Sequence, residues 1–485
     1  MNIIKLKEKA SIATKWSTIT EIAVRCVIPI TNIILARVLT PEAFGVIATV
    51  TMITSFADIF TDAGFQKYLI QHDFKNKEEL DRNTNVAFWT NLTISLFLWS
   101  LICFFSNSLA ALLKIEGLAN VIIISSLSLP LTSFSSIQMA RYKRDFDFKS
   151  LFYIRLLTMT IPFFVTIPIA IVTHSFWALA CGTLATNLAN AIVLTWKSQW
   201  KPQLFYDINM LKEMFSYSWW ILLESIANWL TSYIGTFIVG IYLSTYYVGI
   251  YKTSMSTVNQ IISIITASTS MPLFAALSRV KDDDNVLFEV YQEFICAIAI
   301  CVIPLGTGIW LYRDLITKIL LGAQWIEATD FIGLWGIMSS FSLILGTYCN
   351  GLFNAKGKTY LSFIAQVLHL IVLIPILIWS SKEGYKTLYI SRSLVRLEMI
   401  AVELIIMKSC LKFPLMNLFK KLFPPFICTC IMICVSIILQ KISSFVVWDF
   451  FCIMICVFVY FGIMFLFFKK LLYQSMIAMG IKLKR

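Results

Sequence analysis

EIAVRCVIPITNIILARVLTPEAFGVIATVTMITSFADIFTDAGFQKYLIQ, residues 21–71, is two apolar runs joined by a short turn at Thr40-Pro41. Each run is long enough to cross a bilayer, which takes about 20 apolar residues in helical form. Yet Arg25 lies near the middle of the first run, and Asp58 and Asp62 lie in the inner half of the second. A charge at membrane depth costs roughly 2.5–3.5 kcal/mol on insertion scales, so it faces a protein interior or a watery cavity. A helix pair that is apolar outside and carries both signs inside points to a pathway.

The rest of the chain is of the same kind. It has 485 residues, 58% hydrophobic and 14% charged, with mean hydropathy +0.79. A soluble domain is about 25% charged, so the composition reads as an all-α polytopic membrane protein. The net charge of +13 sits in short loops between apolar runs, with no basic stripe interleaved with aromatics, and nucleic acid is excluded as a partner. Lys5, Lys7, Lys9 and Lys15 precede a full-length span with no small-residue cleavage site, so the first run is expected to be a retained helix. Cys428, Cys430, Cys434, Cys452 and Cys456 cluster near the C-terminus. No histidine accompanies them and the spacing is not that of paired CxxC ligands. They read as packing thiols, with neither a metal nor a disulfide framework expected.

Scanning for about 20-residue apolar runs gives roughly fourteen spans. They fall at 15–38, 42–66, 84–106, 118–140, 151–173, 176–196, 216–241, 246–275, 288–311, 328–352, 359–380, 387–408, 422–442 and 447–468. With both termini cytoplasmic, 28 of the 40 Lys and Arg residues fall in inside segments and seven outside. That bias obeys the positive-inside rule. Leu39-Thr40-Pro41-Glu42-Ala43-Phe44-Gly45-Val46 resembles Leu243-Ser244-Thr245-Tyr246-Tyr247-Val248-Gly249-Ile250, 204 residues on. Six spans separate the copies, which implies parallel repeats about an axis along the membrane normal. The expected organisation is an N-terminal lobe at 1–212 (spans 1–6), a C-terminal lobe at 213–411 (spans 7–12), and 412–485 with two further spans and a basic cytoplasmic tail.

The charges inside spans are the candidate site. Glu21 is one turn before Arg25 on the same face, and Asp58 and Asp62 share a face of the second helix. Arg155 lies on span 5, Glu224 on span 7 and Lys252 on span 8; Arg392, Arg396 and Glu398 lie on span 12, with Glu403 nearer its inner end. Arg25, Arg155, Lys252, Arg392 and Arg396 would line a cavity suited to phosphate or pyrophosphate, which guanidinium binds bidentately. Glu21, Asp58, Asp62, Glu224 and Glu398 would couple or gate, carrying H+ or Na+ as they pair and unpair. Pro29, Pro130, Pro162, Pro168, Pro272, Pro304 and Pro375 fall within spans and predict kinks. Only His72, His174 and His369 are present, and no catalytic triad, P-loop, GxGxxG or zinc cluster is found. No cofactor and no enzyme activity are expected.

Several segments carry a family resemblance. They are Leu35-Ala36-Arg37-Val38-Leu39-Thr40-Pro41-Glu42-Ala43-Phe44-Gly45, Asp62-Ala63-Gly64-Phe65 with Leu69-Ile70-Gln71, Arg141-Tyr142-Lys143-Arg144-Asp145-Phe146-Asp147-Phe148, Phe237-Ile238-Val239-Gly240 with Gly249-Ile250-Tyr251, and Leu321-Gly322-Ala323-Gln324-Trp325. In this order, over about residues 10–410, the chain resembles the oligosaccharide-lipid flippases of the multidrug/oligosaccharidyl-lipid/polysaccharide exporter superfamily. Its likeness is to the colanic-acid and teichuronic-acid exporter branch. The resemblance implies a V-shaped, two-lobed bundle around a central cationic cavity. It implies a monomer in the bacterial inner membrane that flips undecaprenyl-pyrophosphate-linked oligosaccharide by alternating access, alongside other polysaccharide assembly proteins. Relatives often carry an Asp just before the Ile/Val-Gly of span 7, where this chain has Gly235. Coupling would therefore fall to Glu224 or the Asp58/Asp62 pair. The alternatives are a cation-coupled drug exporter of the same superfamily, which an arginine-rich cavity disfavours, and a membrane polysaccharide polymerase or ligase. The latter needs a sizeable outside loop, and 312–327 is short.

Overall fold

In lipid every backbone N–H and C=O must be satisfied within its own segment, so apolar runs of this length become helices. The computed structural model describes the backbone of residues 3–478 except 63 and 444. The side chains of 3–11, 13, 14, 62, 216–221, 267, 271 and 476–478 also lie outside the described residues. Lys5, Lys7, Lys9 and the tail residues Lys482, Lys484 and Arg485 fall in the parts so left out.

The chain runs α1 (Ile3–Val38), α2 (Pro41–Asp62), α3 (Phe65–Gln71), α4 (Lys77–Leu112), α5 (Ala119–Ser126), α6 (Ser128–Arg144), α7 (Phe148–Phe164), α8 (Thr166–Thr173), α9 (Trp177–Lys197) and α10 (Ile208–Tyr242). It continues with α11 (Thr245–Arg279), α12 (Asp284–Leu311), α13 (Arg313–Leu320), a 3-10 segment (Ala323–Ala328), α14 (Thr329–Ser342), a π-helical turn (Leu343–Thr347) and α15 (Tyr348–Ala355). The last helices are α16 (Thr359–Lys382), α17 (Tyr385–Leu411), α18 (Leu415–Gln440), α19 (Val446–Phe467) and α20 (Lys469–Ala478). Among the described residues, 12 helical stretches are long and apolar enough to cross a membrane. The two remaining expected spans are also long helices, α10 with 35 residues and α17 with 27. Arg392, Arg396, Glu398 and Glu403 lower the apolarity of α17.

Proline places the breaks. Spans 4 and 5 of the sequence each form two helices, interrupted at Leu127 and Val165. Pro130 and Pro168 stand in the first turn of the resuming helix, where a missing N–H removes no intrahelical bond. Pro29, Pro304 and Pro375 lie inside continuous helices. At the opening turn, the Thr40 hydroxyl accepts from the Ala43 N–H at 3.5 Å, and Pro41 is the first residue of α2.

By contacts the chain divides into two compact units, residues 1–249 and 250–485. In the first, α1 packs on α7, α6 on α4 and α9, and α10 on α2, α3 and α4. The helix that the repeat assigns to the start of the second lobe, α10, thus packs within the first unit. Also within this unit, the starts of α2 and α11 cross at Gly45 and Gly249. A Cβ on Gly45 would lie 1.8 Å from the Thr245 carbonyl oxygen, and one on Gly249 1.9 Å from the Pro41 carbonyl oxygen. These are the two members of the sequence repeat, touching through equivalent atoms. The Arg-Tyr-Lys-Arg segment closes the other end of α6. Arg141 pairs with Asp81 at 2.6 Å, and the Arg144 guanidinium donates to the carbonyls of Leu69, Ile70 and His72 at the end of α3.

In the second unit α12 packs on α14, α18 and α20, α16 packs on α17, and α14 packs on α17. Cys296, Cys428, Cys456 and Tyr460 sit in one apolar cluster with Ile300, Met432 and Met464. Buried Cys452 packs with Tyr312 and Leu315, whereas Cys430 and Cys434 are exposed. Among the described residues no group of His, Cys, Asp and Glu is arranged to hold a metal.

Candidate functional site

In the first unit the polar residues of α2 follow helical spacing. Thr51, Thr54, Ser55 and Asp58 lie on one face and line a cavity of about 180 Å3 with Ser125, Ser128, Thr132, Thr183 and Asn187. The Asp58 carboxylate accepts from the Thr61 hydroxyl at 2.9 Å and the Thr132 hydroxyl at 3.1 Å. A second cavity, of about 290 Å3, is lined by α1, α7, α8 and α9, with Arg155 at one wall and Asn32, Thr158 and Thr166 around it. Thr183 and Asn187 of α9 belong to both cavities, so the two adjoin. On α1, Arg25 and Glu21 approach to 3.6 Å, the pairing their spacing predicts, and the arginine side chain is 25% exposed. Glu224 is exposed on α10. The side chain of Asp62 lies outside the described residues.

In the second unit the structure gathers cations. Arg392 and Arg396, one turn apart on α17, both stack on the Trp335 ring of α14, at 4.9 and 3.8 Å from its centroid. The Arg392 Nε donates to the Tyr251 hydroxyl at 3.0 Å. Trp335 Nε1 in turn donates to Asn259 Oδ1 at 3.3 Å. Lys252, half-buried and next to Tyr251, is within electrostatic range of Arg392. Arg392 is 6% exposed, and neither arginine makes an ion pair with a described carboxylate. The Nε of Arg396 is buried without a hydrogen-bond partner. The nearest candidate acid in sequence, Glu398, turns instead to His369, with Oε2 at 2.8 Å from Nδ1.

Of the sequence candidates, Lys252, Arg392 and Arg396 thus form one group, Glu21 and Arg25 another, and Asp58 and Arg155 line adjoining cavities. Trp335, Tyr251 and His369 had no site role in the sequence reading. Their role depends on which helix packs beside α17, which no local pattern encodes. The stripes Thr51-Thr54-Ser55-Asp58 and Thr183-Thr186-Asn187 were, Asp58 apart, not among the sequence candidates, although polar residues at i, i+3, i+4 and i+7 spacing in apolar helices are the signal that marks them.

Guanidinium groups held on an aromatic face are able to bind an anion bidentately, and the polar clefts of the first unit are able to hydrogen-bond a polar group. Comparison with known proteins gives this chemistry a setting. The family described as Polysaccharide biosynthesis protein matches residues 34–330. A membrane protein of the cps region of Klebsiella pneumoniae is 23% identical over 391 residues, covering 79% of each chain. The lipopolysaccharide biosynthesis protein WzxC of Escherichia coli (strain K12) is 21% identical over 384 residues, covering 77% of this chain and 76% of its own. Among solved structures, the lipid II flippase MurJ in its inward closed conformation superposes with TM-score 0.74 at 14% identity. That match covers 94% of this chain and 99% of MurJ, and the fold is shared.

Proposed function

Because the chain belongs to the Polysaccharide biosynthesis protein family, we propose that it flips lipid-linked oligosaccharide units across the bacterial inner membrane by alternating access. The undecaprenyl-pyrophosphate headgroup is the part of the cargo that the cations hold. The observation that carries this reading is the pair of arginines over Trp335. A buried guanidinium with no carboxylate partner is unfavourable unless an anion completes it. The structure engages Glu398 with His369 and leaves an Arg396 donor unfilled. A pyrophosphate offers the bidentate oxygens that guanidinium selects, and a cationic drug would be repelled. In this reading Lys252 adds to the arginine group of the second unit, and Arg25 and Arg155 are the cations that the first unit offers to the same cargo. Asp58 couples transport to an ion gradient, with Glu21, Glu224 and Asp62 as gating partners. Membrane and lipid-linked substrate are its partners, with other assembly proteins supplying the sugar.

The test is complementation of a strain deleted for the gene. Arg396→Ala and Arg392→Ala should abolish surface polysaccharide while membrane abundance stays at the wild-type level. Arg396→Lys, which keeps charge and loses the fork, should restore only part of it. Full export by both alanine variants would overturn the reading.

A further inference from the structure

Glu403 lies two turns beyond Arg396 on α17 and is 1% exposed. Both of its carboxylate oxygens are buried, no described basic side chain pairs with it, and the hydrogen-bonding side chain beside it is the Cys349 thiol, a weak donor. It faces the π-helical turn Leu343–Thr347. A Cβ on Gly346 would lie 3.1 Å from Glu403 Oε2, so the glycine leaves the room the carboxyl occupies. Turns of this type concentrate at functional sites. The titratable neighbours are few. On α15 Cys349 stands beside the carboxyl, its thiol directed to the Leu345 carbonyl and the Tyr291 hydroxyl of α12. Tyr348 is engaged by Thr269 of α11. On α16, Tyr360 is exposed, Lys382 ends the helix, and His369 is held by Glu398. The π turn carries no titratable residue, and α14 carries only Asp330, in its first turn. Lys358, at the start of α16, reaches the Cys410 carbonyl of α17, Lys408 stands in the last turn of α17, and no described basic side chain forms an ion pair with Glu403.

A carboxylate cannot stay ionised in such a place without a cation or several donors. A proton is the one ligand that neutralises it without needing a cavity. We propose that Glu403 is a proton-binding site, closed by the π-helical turn at Gly346 and separate from the arginine group. In the state seen here the carboxyl is neutral. When the turn at Gly346 rearranges and water reaches it, the carboxylic acid gives its proton to water, leaving carboxylate and hydronium, and the reverse step reloads it. No redox partner enters. Tying this exchange to export rests on the transport reading above; the site itself does not.

The experiment uses the full chain in lipid nanodiscs. Infrared spectra at neutral pH should show the carbonyl stretch of a protonated carboxylic acid that Glu403→Gln removes and Asp58→Asn leaves in place. Gly346→Ala, which crowds the carboxyl, should shift that band or move its titration. An unchanged band in Glu403→Gln overturns the proposal. So does a band that sodium in place of potassium erases at fixed pH, which makes the site one for a metal cation. In complemented cells Glu403→Gln should flatten the external-pH dependence of surface polysaccharide, with membrane abundance kept. Unaltered pH dependence beside a positive infrared result removes the link to export and leaves the proton site standing. Loss of the arginine phenotype beside a positive infrared result strikes the transport reading alone.

Discussion

Trp335 holds two guanidinium groups at once, and it is the residue on which the cationic group depends for its geometry. Each contact is worth about 0.5–2 kcal/mol, more when desolvated. Trp335→Ala should lower surface polysaccharide roughly tenfold in complemented cells, with Trp335→Phe recovering much of it, since a phenyl face still attracts a cation. Equal export by wild type and Trp335→Ala would remove the tryptophan from the site. Asp58 makes a different prediction. The oxygen that accepts from Thr61 and Thr132 is retained in asparagine, so Asp58→Asn should leave abundance and melting temperature unchanged. Export and its dependence on the proton or sodium gradient should fall, and gradient dependence measured in vesicles decides this. Intramembrane charges were conspicuous in the sequence because each is a lone polar residue in an apolar run. Their partners were not, because Trp335, Tyr251 and Cys349 are ordinary core residues until α14, α11 and α15 are brought beside α17.

At the scale of elements, hydropathy made the helices legible and prolines made two of their breaks legible. The division of span 4 at Leu127 and of span 5 at Val165 follows Pro130 and Pro168, whereas Pro304 and Pro375 are absorbed without a break. What distinguishes them is position within the resumed helix, which hydropathy does not mark. The π turn at Leu343–Thr347 has no sequence signature of its own. The crossing at Gly45 and Gly249 gives a stability test. A methyl group there meets backbone oxygen, which no rotamer change relieves, and overpacking of this kind costs about 1–3 kcal/mol or more. Gly45→Ala and Gly249→Ala should each lower Tm by several degrees in detergent. Gly351, helical with open space at its Cβ, is the control. Gly351→Ala should leave Tm unchanged or raise it, through a helix propensity gain of about 1 kcal/mol. Arg144 invites a similar measurement. Its hydrogen bonds to three carbonyls of one helix end make Arg144→Ala destabilising by about 2–3 kcal/mol, seen as lower Tm and lower abundance.

For the whole molecule, the charge bias of the loops makes its own prediction. With 28 basic residues assigned inside and seven outside, the positive-inside rule predicts both termini in the cytoplasm. A C-terminal fluorescent protein should therefore fold and emit, and a C-terminal alkaline phosphatase should stay inactive. The opposite pattern would overturn that orientation. The family and the helical membrane fold were readable from the motifs and the hydropathy. The packing boundary after Gly249 was not, because it depends on which helices α10 meets, and no local pattern encodes that.

At the glycine crossing the two repeated segments meet each other. Pro41 and Gly45 meet Thr245 and Gly249 atom for equivalent atom, as two copies of one surface meet across a dyad. A larger residue at either glycine would therefore push on the backbone of the opposite helix start, so the two turns can only move as a pair. At this spot each backbone occupies the space that a side chain on the other would need, so neither position can diverge alone.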